Sequence, residues 1–109
     1  MTAPDNPEIG PIGDRVLYED EHVRIWEMIL EPGQRSPLHH HENDYVVVVV
    51  EGDHVTVEPD EASEERSGDG YGSVVVEPGQ SVFLHKGATE VAINSGVRRY
   101  RDIQVELLG

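Results

Sequence analysis

Apolar and polar residues trade places at every second position along most of this chain, in short runs that each end at a cluster of Gly, Pro, Asp or Ser. A period of two puts successive side chains on opposite faces of an extended backbone, and no stretch sustains the helical period instead. The runs at 16–18 and 23–30 flank the acidic turn Glu19-Asp20-Glu21 and predict a pair of strands. Runs at 54–58, 73–76, 81–84, 90–94 and 97–108 extend the pattern, and at 90–94 the alternation puts Glu90, Ala92 and Asn94 on one face. The stops have a mechanism: in Glu31-Pro32-Gly33 the proline ring fixes φ and the glycine can take the positive φ of a type II turn. Glu77-Pro78-Gly79 repeats it. Short strands closed at this spacing predict an all-β sandwich or barrel.

One run departs from the alternation. His39-His40-His41-Glu42-Asn43-Asp44-Tyr45 leads into five valines, 46–50, and this histidine strand is expected to run to Glu51-Gly52-Asp53. Continuous β-branched residues suit a strand buried on both faces over much of its length. At the period of a strand His39 and His41 share a face, and His40 looks the other way, toward the surface. Glu42, Asn43 and Asp44 read as a solvated turn. Two imidazoles side by side at the start of a core strand suit a metal at the mouth of a pocket.

Composition narrows what such a site can be. With 109 residues the chain has material for one modest core. Residues 1–15, with Pro4, Pro7, Pro11, Gly10 and Gly13, read as an extended N-terminal arm, and 16–109 as the barrel. Within it, 59–72 is almost devoid of apolar residues and reads as a long acidic hairpin loop. There is no cysteine, so any metal is held by nitrogen and oxygen. The net charge of -14 argues against nucleic acid and against an anionic membrane surface as partners. With no leader-like or membrane-spanning apolar run, the expected location is the cytoplasm. Asp and Glu number 22 against 8 Lys and Arg, with Lys86 the single lysine, a balance that suits a salt-adapted surface.

The two punctuated regions resemble the paired motifs of the cupin superfamily. For the first motif, G-x5-H-x-H-x3-E-x6-G, Gly33, His39, His41 and Gly52 fall at the right spacing, with Tyr45 in the glutamate position. For the second, G-x5-P-x-G-x2-H-x3-N, Gly79, Gly87 and Asn94 fit, while His85 replaces the proline and Glu90 the histidine. The resemblance covers roughly 23–107, and within the superfamily the chain is similar to small stand-alone cupins of the β-alanine degradation protein group. It implies a cupin-type double-stranded β-helix, or jelly-roll barrel, in a single domain.

By position the resemblance implies a ligand set of His39, His41, Tyr45 and Glu90. A phenol is a poor ligand unless a metal deprotonates it, so Tyr45 is expected to hydrogen-bond a bound molecule instead. Glu90 is a competent ligand, with Glu42 as a fallback. His39, His41 and Glu90 then form a two-histidine, one-carboxylate shell for a divalent ion such as iron, zinc or manganese. The expected function is a metal-binding cupin acting on a small polar or carboxylate-bearing metabolite, with Tyr45 and His85 as the catalytic, proton-moving pair. A non-enzymatic small-ligand binder and a metal-independent isomerase or dehydratase using Tyr45 and His85 are the alternatives. A homodimer is implied by the resemblance. Trp26, Met28, Phe83 and Tyr100 are expected to fill the barrel, and Arg99 and Arg101 to lie on its exterior.

Overall fold

The computed structural model describes residues 9–60 and 72–109. Most of the expected N-terminal arm and of the acidic loop at 59–72 therefore lies outside the described residues. Nine strands account for the rest: β1 (Arg15–Glu19), β2 (Val23–Leu30), β3 (His39–His40), β4 (Tyr45–Glu51), β5 (His54–Pro59), β6 (Gly72–Val75), β7 (Ser81–Leu84), β8 (Thr89–Asn94) and β9 (Tyr100–Leu107). They form a five-stranded sheet in the order β1-β2-β9-β4-β7 and a four-stranded sheet in the order β3-β8-β5-β6. Every strand pairing is antiparallel. None of the described residues forms a helix long and apolar enough to cross a membrane.

The repeated stop does what its residues dictate. Gly33 and Gly79 sit at φ of 85° and 90°, with a proline before each. The turns are closed by Gln34 N donating to Glu31 O at 2.9 Å and Gln80 N donating to Glu77 O at 3.0 Å. Each glutamine also folds its side chain back, so that its Oε1 accepts the amide of Glu31 or Glu77. The repeated unit is thus Glu-Pro-Gly-Gln. A residue with a Cβ at either glycine would be strained, because left-handed backbone is costly for anything else.

The histidine strand is in fact two strands in two sheets. β3 ends at His40, and the chain then crosses to the other sheet before Tyr45 opens β4. Asp44 holds the crossing: its Oδ1 accepts the amide of Lys86, and its carbonyl accepts that of Leu107. The valines are not buried on both faces either. Val49 is buried, Val46 to Val48 are partly covered, and Val50 is exposed. β9 starts at Tyr100, since Val97 stands almost fully in solvent before it.

The core lies between the sheets and comprises Met28, Leu30, Val49, Val55, Val76, Ala92 and Tyr100. Burying a side chain of this size contributes about 1.5–3 kcal/mol. Trp26 is only partly covered, and Phe83 is 49% exposed at an open edge. Asn94, fully buried, donates to the carbonyls of Leu30 and Arg98 at 2.8 Å each and accepts from Gly96 N, so it ties three segments at one end of the barrel.

Candidate metal centre

His39 and Glu90 are Cα partners in the antiparallel pairing of β3 with β8, so both side chains leave the sheet on the same face, toward the interior. His41 follows β3 and stays in register through its backbone: its amide donates to Ala88 O at 2.8 Å, and Gly87 N donates to its carbonyl at 2.9 Å. Both histidines are 2% exposed. His40 points the other way, with Nδ1 2.7 Å from Thr89 Oγ1, as the period of two requires.

The three inward groups converge. His39 Nε2 and His41 Nε2 lie 3.6 Å and 3.5 Å from Glu90 Oε2, and one ligand atom from each residue falls within 4.8 Å of the other two. Ligands about 2.1 Å from a common ion sit about 3.0–3.4 Å apart in octahedral or tetrahedral geometry. The spacing therefore fits an ion after small adjustments, and it exceeds a good hydrogen bond. The His39 tautomer is fixed for that purpose. Its Nδ1 stands 2.9 Å from Pro37 O, and a carbonyl can only accept, so Nδ1 carries a proton and Nε2 is the ring nitrogen turned toward Glu90.

Charge points the same way. Burial would raise the Glu90 carboxyl, but the imidazoles of His39 and His41 outweigh it and hold the group below its ordinary range, so it is ionised at neutral pH. His41 is pushed below the usual histidine range, chiefly by burial, which leaves its ring neutral and able to coordinate. A buried carboxylate is costly unless a positive charge pairs with it, and among the described residues no lysine or arginine reaches Glu90.

Tyr45 does not extend this ring of ligands in the way a glutamate would. Its ring lies flat on His41, with centroids 3.8 Å apart and planes 4° from parallel, while His39 meets His41 edge-on at 5.0 Å. The phenol fixes the plane of one histidine as the other fixes its edge. His85 stands at the mouth with its side chain 73% exposed, Nδ1 3.8 Å from Asp44 Oδ1 and its ring edge-on to Phe83. Glu42 is exposed on the crossing segment and lies outside the converging group. Arg99 and Arg101 reach Glu31 and Glu27 on the outside of the five-stranded sheet.

The metal-ligand group opens into a cavity of about 520 Å³ between the sheets. Its wall is mainly aliphatic, with Val47, Val49, Val55, Val57, Val76 and Leu84 among the lining residues, and Val82 and Phe83 exposed where it opens. Tyr100, Asp102 and Gln104 on β9 also line it, and the last two are polar groups that the motifs do not single out. Tyr100, Asp102, Gln104 and Glu106 are all buried, whereas Arg101, Ile103 and Val105 between them are partly exposed. The polar face of this strand is the inner one. Tyr100 inside with Arg99 and Arg101 outside is the sense the sequence predicts, and period two carries Asp102, Gln104 and Glu106 in with Tyr100.

No protein-family model matches the sequence, and no curated protein matches it. Solved structures do. A cupin domain from Bordetella pertussis superposes with a TM-score of 0.69 at 25% identity, over 85% of this chain and 88% of its own. A conserved protein with a double-stranded β-helix domain from Klebsiella pneumoniae gives 0.65 at 20% identity, over 98% of this chain and 83% of its own. A polyketide cyclase from Streptomyces resistomycificus gives 0.57 at 19% identity; the match covers 83% of this chain and 57% of the cyclase. Fold and likeness together define a double-stranded β-helix, and the chain is a small member of the cupin superfamily.

Proposed function

We propose that this cupin binds a divalent metal ion through His39, His41 and Glu90 and uses it to hold a small molecule in the aliphatic cavity. The observation that carries this reading is the convergence of two imidazole Nε2 atoms on one carboxylate oxygen, at 3.5–3.6 Å. Nitrogen and oxygen donors suit iron(II), zinc or manganese. Such an ion, when bound, polarises a ligand oxygen. The rest is the work of the chain: Tyr45 keeps the His41 plane, the Pro37 carbonyl keeps the His39 tautomer, and the valine-rich wall excludes water. The ligand is a small molecule with an oxygen-bearing polar end on a largely apolar body, since the cavity offers few polar contacts away from the metal group and β9.

Metal uptake tests the reading. Untagged protein stripped with chelator and titrated with Zn²⁺, Mn²⁺ and Fe²⁺ is expected to take up about one equivalent of at least one of them. Glu90→Ala is expected to lower that affinity about 100-fold or more, because the only anionic ligand is gone. Uptake below about a tenth of an equivalent of every metal by the wild-type protein would end the proposal.

A further inference from the structure

We infer that Asp102 is a catalytic proton acceptor on the wall opposite the metal group, and that the site therefore acts on a small, largely apolar carbonyl compound with an acidic α C–H bond. The inference rests on the metal-binding reading above for the placement of the carbonyl oxygen.

Asp102 lies on β9, the central strand of the five-stranded sheet, while His39 and Glu90 lie on the four-stranded sheet facing it. Both ends of this axis line the same cavity, and Asp102 is 2% exposed. A carboxyl in an aliphatic wall is costly unless something uses or neutralises it. Among the described residues no arginine or lysine pairs with it, in contrast to Glu27 on the outer face, which holds Arg15 and Arg101. Its partners are oriented donors instead. Tyr100 Oη donates to Oδ2 at 2.5 Å, and Gln104 Nε2 donates to Oδ1 at 3.2 Å.

The orientation of Gln104 is itself fixed, because its Nε2 also donates to Ile12 O at 3.1 Å and a flipped amide would set oxygen against two acceptors. Gln104 Oε1 is left buried with no hydrogen-bond partner among the described residues. That cost is borne to keep an N–H on Asp102. Tyr100 keeps its proton, since burial and the neighbouring carboxyl push its phenol far above the ordinary range, and so donates to the carboxylate. Two fixed donors hold the carboxyl plane and leave each oxygen a lone pair. Burial raises Asp102 to about 6 against the hydrogen bonds from Tyr100 and Gln104, which puts its proton exchange near neutral pH, where a general base is most effective.

The step balances without an oxidant or co-reactant. With the carbonyl oxygen toward His39, His41 and Glu90, the α C–H bond breaks and its proton passes to Asp102. The C–H electron pair forms the new C=C bond, and the carbonyl π pair moves onto oxygen. The proton on Asp102 swaps with one from solvent, and Asp102 then protonates the same carbon or, in a conjugated ligand, another, which is exchange in the first case and isomerisation in the second.

Cyclohexanone in D₂O is a suitable probe, with α-proton exchange, cyclohexanone affinity and zinc uptake each measured on the same protein by NMR and calorimetry. Zinc-loaded wild-type protein is expected to exchange the α protons about 100-fold faster than Asp102→Asn, while both keep cyclohexanone and zinc affinities within about threefold. Tyr100→Phe, which keeps the carboxylate but loses the 2.5 Å bond, is expected to slow exchange about fivefold at unchanged affinity. It carries the comparison if Asp102→Asn does not fold. Equal exchange in wild type and variants, or a zinc-loaded wild type that gives no exchange beyond free zinc, overturns the inference. A wild type that takes up no zinc fails the metal reading alone, and the same comparison on the metal-free protein then decides Asp102.

Discussion

On the four-stranded wall of the barrel, His39, His41 and Glu90 approach one another to 3.5–3.6 Å, just beyond a good hydrogen bond. On the five-stranded wall, Tyr100, Asp102, Gln104 and Glu106 point inward from a single strand and are hydrogen-bonded at 2.5–3.3 Å to each other and to Arg24, Trp26 and Asn43, with Gln104 Oε1 left over. Both walls bury polar groups that a purely apolar core would not. The first sets its groups slightly too far apart to bond one another well; the second spreads its charge through close donors. Distance alone thus separates groups arranged to acquire a partner from groups arranged to keep one another.

If that separation is real, damage to the second wall should cost stability and spare the metal. Glu106 is the largest test. It accepts from Trp26 Nε1 at 3.0 Å, Asn43 Nδ2 at 2.8 Å and Arg24 Nη1 at 3.3 Å. Glu106→Ala leaves part-buried donors unpaired and is expected to lower stability by about 3 kcal/mol in urea unfolding. Zinc affinity should stay within about threefold. Because Glu106 is the Cα partner of Tyr45 across the β4–β9 pairing, a tenfold loss of zinc affinity would show the two walls to be one unit.

Asp102 gives the next effect, and it is a pH dependence. Its carboxyl is raised from 3.8 to about 6 in the folded chain, so the folded state holds this proton more tightly than the unfolded state does. The stabilising contribution is full below the unfolded value and is lost as pH rises through about 6, a change of about 2 kcal/mol between pH 4 and pH 7. Asp102→Asn has no such proton. The stability difference, variant minus wild type, should therefore rise by about 2 kcal/mol over that interval, whatever constant cost the altered hydrogen bonds impose. A difference that is flat with pH would place Asp102 with the satisfied structural groups.

The two walls also differ in how far the sequence reveals them. The nearness of His39, His41 and Glu90 could be read because they are rare types at motif spacing, and because the stops at Gly33 and Gly79 fix where strands begin. Period two further predicted that His39 and His41 share a face opposed to His40, and that Glu90, Ala92 and Asn94 share another, as they do. Alternation says nothing about which face is inside. On β9 it is the expected pairing of Tyr100 inside with Arg99 and Arg101 outside that decides the sense, and the buried set is Tyr100, Asp102, Gln104 and Glu106. The burial of Gln104 and Glu106 goes with partners from distant segments, Ile12, Trp26 and Asn43, which no local pattern announces. The division of the histidine strand was hidden for the same reason, since the contacts that hold the crossing at Asp44 come from Lys86 and Leu107.

The smallest effect falls on Tyr45, where the walls meet. It opens β4 in the five-stranded sheet, yet its ring is stacked at 3.8 Å on His41, a member of the metal group. If the phenol ring serves to hold the imidazole plane, Tyr45→Phe keeps the stack and should change zinc affinity by less than about threefold. Tyr45→Leu removes the flat surface and frees the imidazole to rotate, which should cost about tenfold, or about 1.4 kcal/mol. If the hydroxyl itself contributes to holding the ion, the phenylalanine variant would lose as much affinity as the leucine one. Calorimetric titration of both variants with zinc tells the two roles apart, because only the stacking role makes the ring, rather than its oxygen, the part that matters.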